Sequence, residues 1–140
     1  MIIQKLLGHK FLLCQLIILT ILLTWVSLAK LVTPVEFKIE GSDKIGHFIA
    51  YTVFCGAWFL FLFFSEIVNK SLKQSLLMAS IICILYGMLM ELLQASLTTY
   101  RSPEWYDVVA NTSGTIFAAL VIVMFRATII KYKRNKQNIN

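Results

Sequence analysis

The sequence predicts an all-α protein: a four-helix transmembrane bundle with almost nothing outside the bilayer. Three observations carry that expectation. The chain has 140 residues, of which 59% are hydrophobic, and its mean hydropathy is +0.78, well outside the range of soluble globular domains. Its apolar residues collect into four runs, at about 11–29, 45–64, 76–95 and 108–130. Each is long enough to cross hydrocarbon, because a helix rising about 1.5 Å per residue needs roughly twenty residues to span about 30 Å. At this length the whole chain, 1–140, reads as a single transmembrane domain.

The first run follows Lys5 and Lys10 and is trailed by Ser27-Leu28-Ala29, so a cleaved signal peptide has to be weighed. Its apolar stretch is longer than the roughly 7 to 15 residues usual for a signal, and Phe11-Leu12-Leu13-Cys14 is too bulky for a lipoprotein site. A retained helix is expected. The second run is preceded by Gly41-Ser42-Asp43, where Ser42 or Asp43 can cap the helix. The third contains polar interruptions that blur its edges. The fourth is preceded by Ser102-Pro103-Glu104: a capping hydroxyl, a proline suited to the first helical position and an acid favoured by the helix dipole. That helix is expected to begin near Pro103, with Trp105 and Tyr106 at interfacial depth. The aromatic run at 58–64 is expected to face lipid or the interface, and the tail after Lys131 to be disordered.

Orientation follows from the basic residues. Lys5, Lys10, Lys70, Lys73, Arg126, Lys131, Lys133, Arg134 and Lys136 would share one side, against Lys30, Lys38, Lys44 and Arg101 on the other. Nine against four puts both termini in the cytoplasm by the positive-inside rule. The net charge of +6 is then a topology signal with some attraction for anionic lipid, and nucleic acid is excluded as a partner. Cys14, Cys55 and Cys83 all fall in apolar runs, which gives no disulfide framework.

Polar residues at the ends of apolar runs are the default place to look for function, since ionisable groups at membrane depth cost free energy unless paired, hydrated or used. Eight stand out: Asp43, Lys44, His47, Glu91, Gln94, Arg101, Asp107 and Asn111. Helical spacing sorts them into stripes. Asp43, His47 and Tyr51 share one face; Cys83, Gly87, Glu91 and Gln94 another; Asp107, Asn111, Gly114 and Ala118 a third. Gly87 and Gly114 are read as packing residues that let backbones approach beneath the polar groups. The three stripes are expected to close around one outward-facing ligand site.

Each polar residue also has a structural reading. Asp43 can be a cap, Lys44 can snorkel to the interface, and His47 can fasten two helices. Glu91 must be protonated or paired, with Arg101, Lys44 or His47 as partners. Asp43, His47, Glu91 and Asp107 together suit a divalent cation by ligand type, but nothing in their spacing selects that option; no metal or other cofactor is expected.

Asp43-Lys44-x-x-His47-x-x-x-Tyr51, then Gly87-x-x-x-Glu91-x-x-Gln94, then Arg101 followed by Asp107-x-x-x-Asn111-x-x-Gly114 resembles the VanZ-like family of small bacterial membrane proteins. The resemblance covers residues 43–119. It implies a place at the cell envelope and a link to low-level resistance to the glycopeptide teicoplanin, without specifying a reaction.

Three functions compete at this point. The first is binding of an amphiphile, either a lipid-linked cell-wall precursor or an acylated glycopeptide. The second is an enzyme acting on a phospholipid or lipid-linked headgroup, with His47 as base, Glu91 or Asp107 as orienting acid and Arg101 as phosphate clamp. No nucleophile elbow or phosphate-cradling glycine loop supports it. The third is a small transporter or structural subunit, for which four spans leave room only in a homo-oligomer. In every case the lipid bilayer is a partner.

Overall fold

The computed structural model describes residues 7–28, 42–97 and 104–137. These form five helices: α1 (His9–Leu28), α2 (Ser42–Phe64), α3 (Leu72–Leu97), α4 (Trp105–Met124) and α5 (Arg126–Gln137). There is no strand among the described residues. The first four are long and apolar enough to cross a membrane. All four expected spans are present, and in lipid the helix is the natural answer for such runs because each backbone polar group bonds within its own segment.

Contacts at the two ends of the bundle show the helices alternating in direction. At one end His9 Nδ1 lies 2.7 Å from Ser65 Oγ, linking the start of α1 to the end of α2. At the other, Gln94 Nε2 donates to the Ser27 carbonyl, linking the ends of α3 and α1, at 2.9 Å. Helix α2 is the most enclosed, with Tyr51, Phe54, Cys55 and Phe59 buried against Ala79 and Cys83 of α3 and Ala118 of α4. Helix α1 covers one flank and leaves Ile18, Ile21 and Trp25 exposed, as suits a lipid-facing helix.

The α2–α3 turn is built from local hydrogen bonds. Asn69 takes a positive φ of 41°, a conformation asparagine tolerates better than most residues. Ser71 Oγ accepts the Gln74 N–H and Gln74 Oε1 accepts the Ser71 N–H, each at 3.3 Å. That reciprocal pair is a capping box starting α3.

Three expectations need correction. The fourth span does not run over 108–130: it starts at Trp105 and breaks at Phe125, whose φ of −95° and ψ of 12° leave the helical region. The tail after Lys131 is helical through Gln137 rather than disordered. Its long side chains reach carbonyls at the nearby helix ends: Lys133 donates to Lys70 O at 3.1 Å and Lys136 to Leu7 O at 2.9 Å. The Lys133 ammonium also lies 4.1 Å from the Phe63 ring centroid, and burial, followed by repulsion from Lys136, lowers its pKa. Finally, the aromatic run at 58–64 is mostly protein-facing. Phe59, Leu62, Phe63 and Phe64 are buried, in part because α5 folds back over them, with Tyr132 edge-on to Phe64 at 5.9 Å.

Candidate functional site

The start of α2, the end of α3 and the start of α4 meet at one end of the bundle, and the polar stripes meet with them. The close approach of α2 and α4 makes this possible. Gly114 lies directly against the backbone of Phe48, where a side chain would collide with the Phe48 carbonyl oxygen. Thr52 Oγ1 bridges the same crossing, within hydrogen-bonding distance of Phe48 O at 2.8 Å and of Gly114 O at 3.1 Å. On α3, Gly87 leaves room for Tyr51 and Asn111: a β-carbon there would stand 3.1 Å from Tyr51 Cε1 and 3.3 Å from Asn111 Nδ2. Both glycines act in packing, one against backbone and one against side chains.

One turn nearer the helix ends, His47 is held from α4 on both ring nitrogens. Nδ1 is 3.0 Å from Asn111 Oδ1, and Nε2 is 3.5 Å from Asp107 Oδ2. An amide oxygen only accepts, so Nδ1 carries the proton of that bond. Glu91 enters from α3: one of its carboxylate oxygens, a His47 ring nitrogen and an Asp107 oxygen all lie within 4.8 Å of one another. The group is deeply enclosed, with Glu91, Asp107 and Asn111 exposed by only 6%, 4% and 2%.

Lys44 forms the rim. Its Nζ lies 2.9 Å from Glu104 Oε2, 3.2 Å from Asp43 Oδ2 and 4.0 Å from Asp107 Oδ1. Three carboxylates therefore surround one ammonium at the mouth of the buried cluster.

Of the eight residues singled out in the sequence, Asp43, Lys44, His47, Glu91, Asp107 and Asn111 come together here. Gln94 is equally buried but sends its amide N–H toward α1, to Ser27 O. Arg101 lies outside the described residues. Two further residues belong to the site. Glu104 is the extended residue that caps α4, three positions before Asp107, and in the sequence it reads only as an acid at a helix start. Tyr51, of the first stripe, is buried with its ring against Gly87.

An all-helical bundle of four membrane-spanning helices, with ionisable groups from three of them converging at one end, defines a multi-pass membrane protein with an internal polar site. The VanZ/LLP1 family profile matches residues 10–126, most of the chain and all four spans. The protein belongs to the VanZ/LLP1 family. No curated protein and no solved structure matches it.

Proposed function

We propose that the protein lies in a bacterial plasma membrane with both termini in the cytoplasm and binds the polar head of an amphiphile at the outward end of its bundle. The ligand class is a cell-envelope lipid, such as a lipid-linked cell-wall precursor, or an acylated glycopeptide, and the consequence is envelope or antibiotic resistance. The observation that carries this reading is the position of the polar cluster. His47, Glu91, Asp107 and Asn111 sit within an apolar bundle, with the Lys44 ammonium at their rim and exposed apolar residues such as Ile45, Ile49 and Trp105 beside them. A headgroup could meet cation and hydrogen-bonding groups there while its chain lies along the helices. Family membership supports the envelope setting.

The test is replacement of Glu91, Asp107 or Arg101 by alanine at matched membrane expression. Each is expected to abolish a resistance phenotype and to reduce photocrosslinking of an envelope-lipid probe. Unchanged resistance and crosslinking in all three variants would eliminate the site.

A membrane enzyme acting on a phospholipid or lipid-linked headgroup is the second reading. The approach of an imidazole to two carboxylates favours it, since such groups can hold and move a proton. Turnover of a labelled lipid by purified protein, lost in His47→Ala, would move the assignment from binding to catalysis.

A further inference from the structure

The cluster at the meeting of α2, α3 and α4 has the makings of a metal centre. His47, Glu91 and Asp107 come from three different helices, so no single loop forces their ligand atoms within 4.8 Å of one another. We propose that these three side chains bind one divalent cation of the Mn²⁺ or Zn²⁺ class. The proposal goes beyond the amphiphile reading and stands whether or not that reading holds.

The orientation of the His47 ring is the first argument. With Nδ1–H donated to Asn111 Oδ1 at 3.0 Å, Nε2 is the ring atom that faces Asp107 Oδ2, 3.5 Å away. That distance exceeds the roughly 2.7–3.2 Å of a formed N–H···O bond. The separation leaves a ring nitrogen and a carboxylate oxygen side by side at a spacing that one ion could share. A proton bridges two atoms well; a third ligand on Glu91 suits an ion instead. Metal-bound histidines characteristically donate their second ring N–H to an acceptor, the part Asn111 plays here.

Polar atoms beside the cluster supply an independent argument. Asp107 Oδ1, Asn111 Nδ2 and the Tyr51 hydroxyl are buried and make no hydrogen bond among the described residues. The ammonium nearest Asp107 Oδ1 stands 4.0 Å away on Lys44. A coordinated water or headgroup oxygen would serve Asn111 Nδ2 or the Tyr51 hydroxyl, and a cation would serve Asp107.

Dimensions and ligand chemistry agree with this. Atoms bound at about 2.0–2.2 Å from an ion stand no more than about 4.4 Å apart, so small side-chain rotations would close the set. One imidazole with two carboxylates is a borderline-to-hard donor set, appropriate to Mn²⁺ or Zn²⁺ and poor for Cu⁺. The neighbouring trio of Asp43, Glu104 and Asp107 is a weaker candidate. It is exposed at two positions, has no imidazole and already surrounds the Lys44 ammonium.

The experiment uses the full chain in lipid nanodiscs, treated with chelator and titrated with Mn²⁺ by electron paramagnetic resonance and with Zn²⁺ by dye competition. No amphiphile is added, so failure of the amphiphile reading cannot masquerade as failure of this one. One equivalent should bind, and His47→Gln, Glu91→Gln and Asp107→Asn should each weaken binding by about tenfold or more. His9→Gln and Glu66→Gln, at the opposite end, should bind as the parent does. Pulsed resonance on the His9→Gln protein with Mn²⁺ should show coupling to an imidazole nitrogen, a readout that survives should the ligand variants fail to fold. Absence of binding, absence of that coupling, undiminished affinity in the three ligand variants, or an equal loss in Glu104→Gln would each overturn the site.

Discussion

Gly114 of α4 packs directly on the main chain of Phe48 in α2, one turn from the contact between Asn111 and His47. Because the neighbour is a carbonyl rather than a flexible side chain, an added methyl has nowhere to go. Gly114→Ala should force the two helices apart and cost about 1–3 kcal/mol, the usual range for overpacking a closed interface. Unfolding in mild detergent would measure this, and the variant should also lose the crosslinking of a cysteine pair placed at Thr52 and Thr115.

Gly87→Ala should behave differently. Its new methyl would press on Tyr51 Cε1 and on the Asn111 side chain at 3.1–3.3 Å, side chains rather than backbone, which would have to give by a few tenths of an ångström. Stability should fall less than in Gly114→Ala. The expected damage is to the position of Asn111, and through it to the His47 ring. Loss of ligand or metal affinity larger than the loss of stability would identify this; equal losses would contradict it.

The docking of α1 can be tested at a single polar contact. Tyr86 Oη and Thr24 Oγ1 lie 2.6 Å apart, and Thr24 Oγ1 also donates to Thr20 O at 2.7 Å. With the threonine proton so engaged, Tyr86 donates. Hydrogen bonds between membrane helices average about 0.6 kcal/mol in mutant cycles. A cycle of Thr24→Val with Tyr86→Phe should therefore give a coupling near that value, and a coupling of zero would show that this contact does not help to seat α1.

The spans and stripes were legible in the sequence for a physical reason. Lipid demands continuous apolar helices, and the 3.6-residue period then fixes which side chains share a face. Cys83, Gly87, Glu91 and Gln94 are all buried on α3, as are Asp107, Asn111, Gly114 and Ala118 on α4. Periodicity cannot say which neighbour a face meets, so nothing in the pattern sends the Gln94 amide to Ser27 or pairs Lys44 with Glu104. Hydropathy likewise cannot distinguish lipid from protein, since both are apolar, and so misplaces Phe59 and Phe63. The break at Phe125 has no proline or glycine to announce it, and α5 is held by lysines reaching carbonyls distant in sequence. The Ser71–Gln74 capping box is a local signal, carried by the S-x-x-Q spacing alone.

The distribution of basic residues makes the orientation testable. In a protein with Cys14, Cys55 and Cys83 replaced by alanine, single cysteines at the exposed positions Trp105 and Arg134 would report the two ends. A membrane-impermeant maleimide should label position 105 in intact cells and position 134 only after permeabilisation. The reverse pattern would put the polar cluster at the cytoplasmic face and remove extracellular amphiphiles from consideration.

Asn111 is a positioning residue whose effect should be separable from its packing. Its Oδ1 fixes the proton on His47 Nδ1 and so leaves Nε2 facing Asp107. Asn111→Leu keeps the branched shape at a somewhat larger volume but removes the acceptor, freeing the imidazole to turn or to change tautomer. If His47 ligates an ion, affinity should fall about 10–100-fold, the range typical when the partner of a metal-bound histidine is lost. Asn111→Asp restores an acceptor and should recover much of that affinity. A purely structural role predicts no such rescue, because a second carboxylate beside Asp107 would only add repulsion. Mn²⁺ titration of the two variants, with unfolding measured in parallel, separates these outcomes.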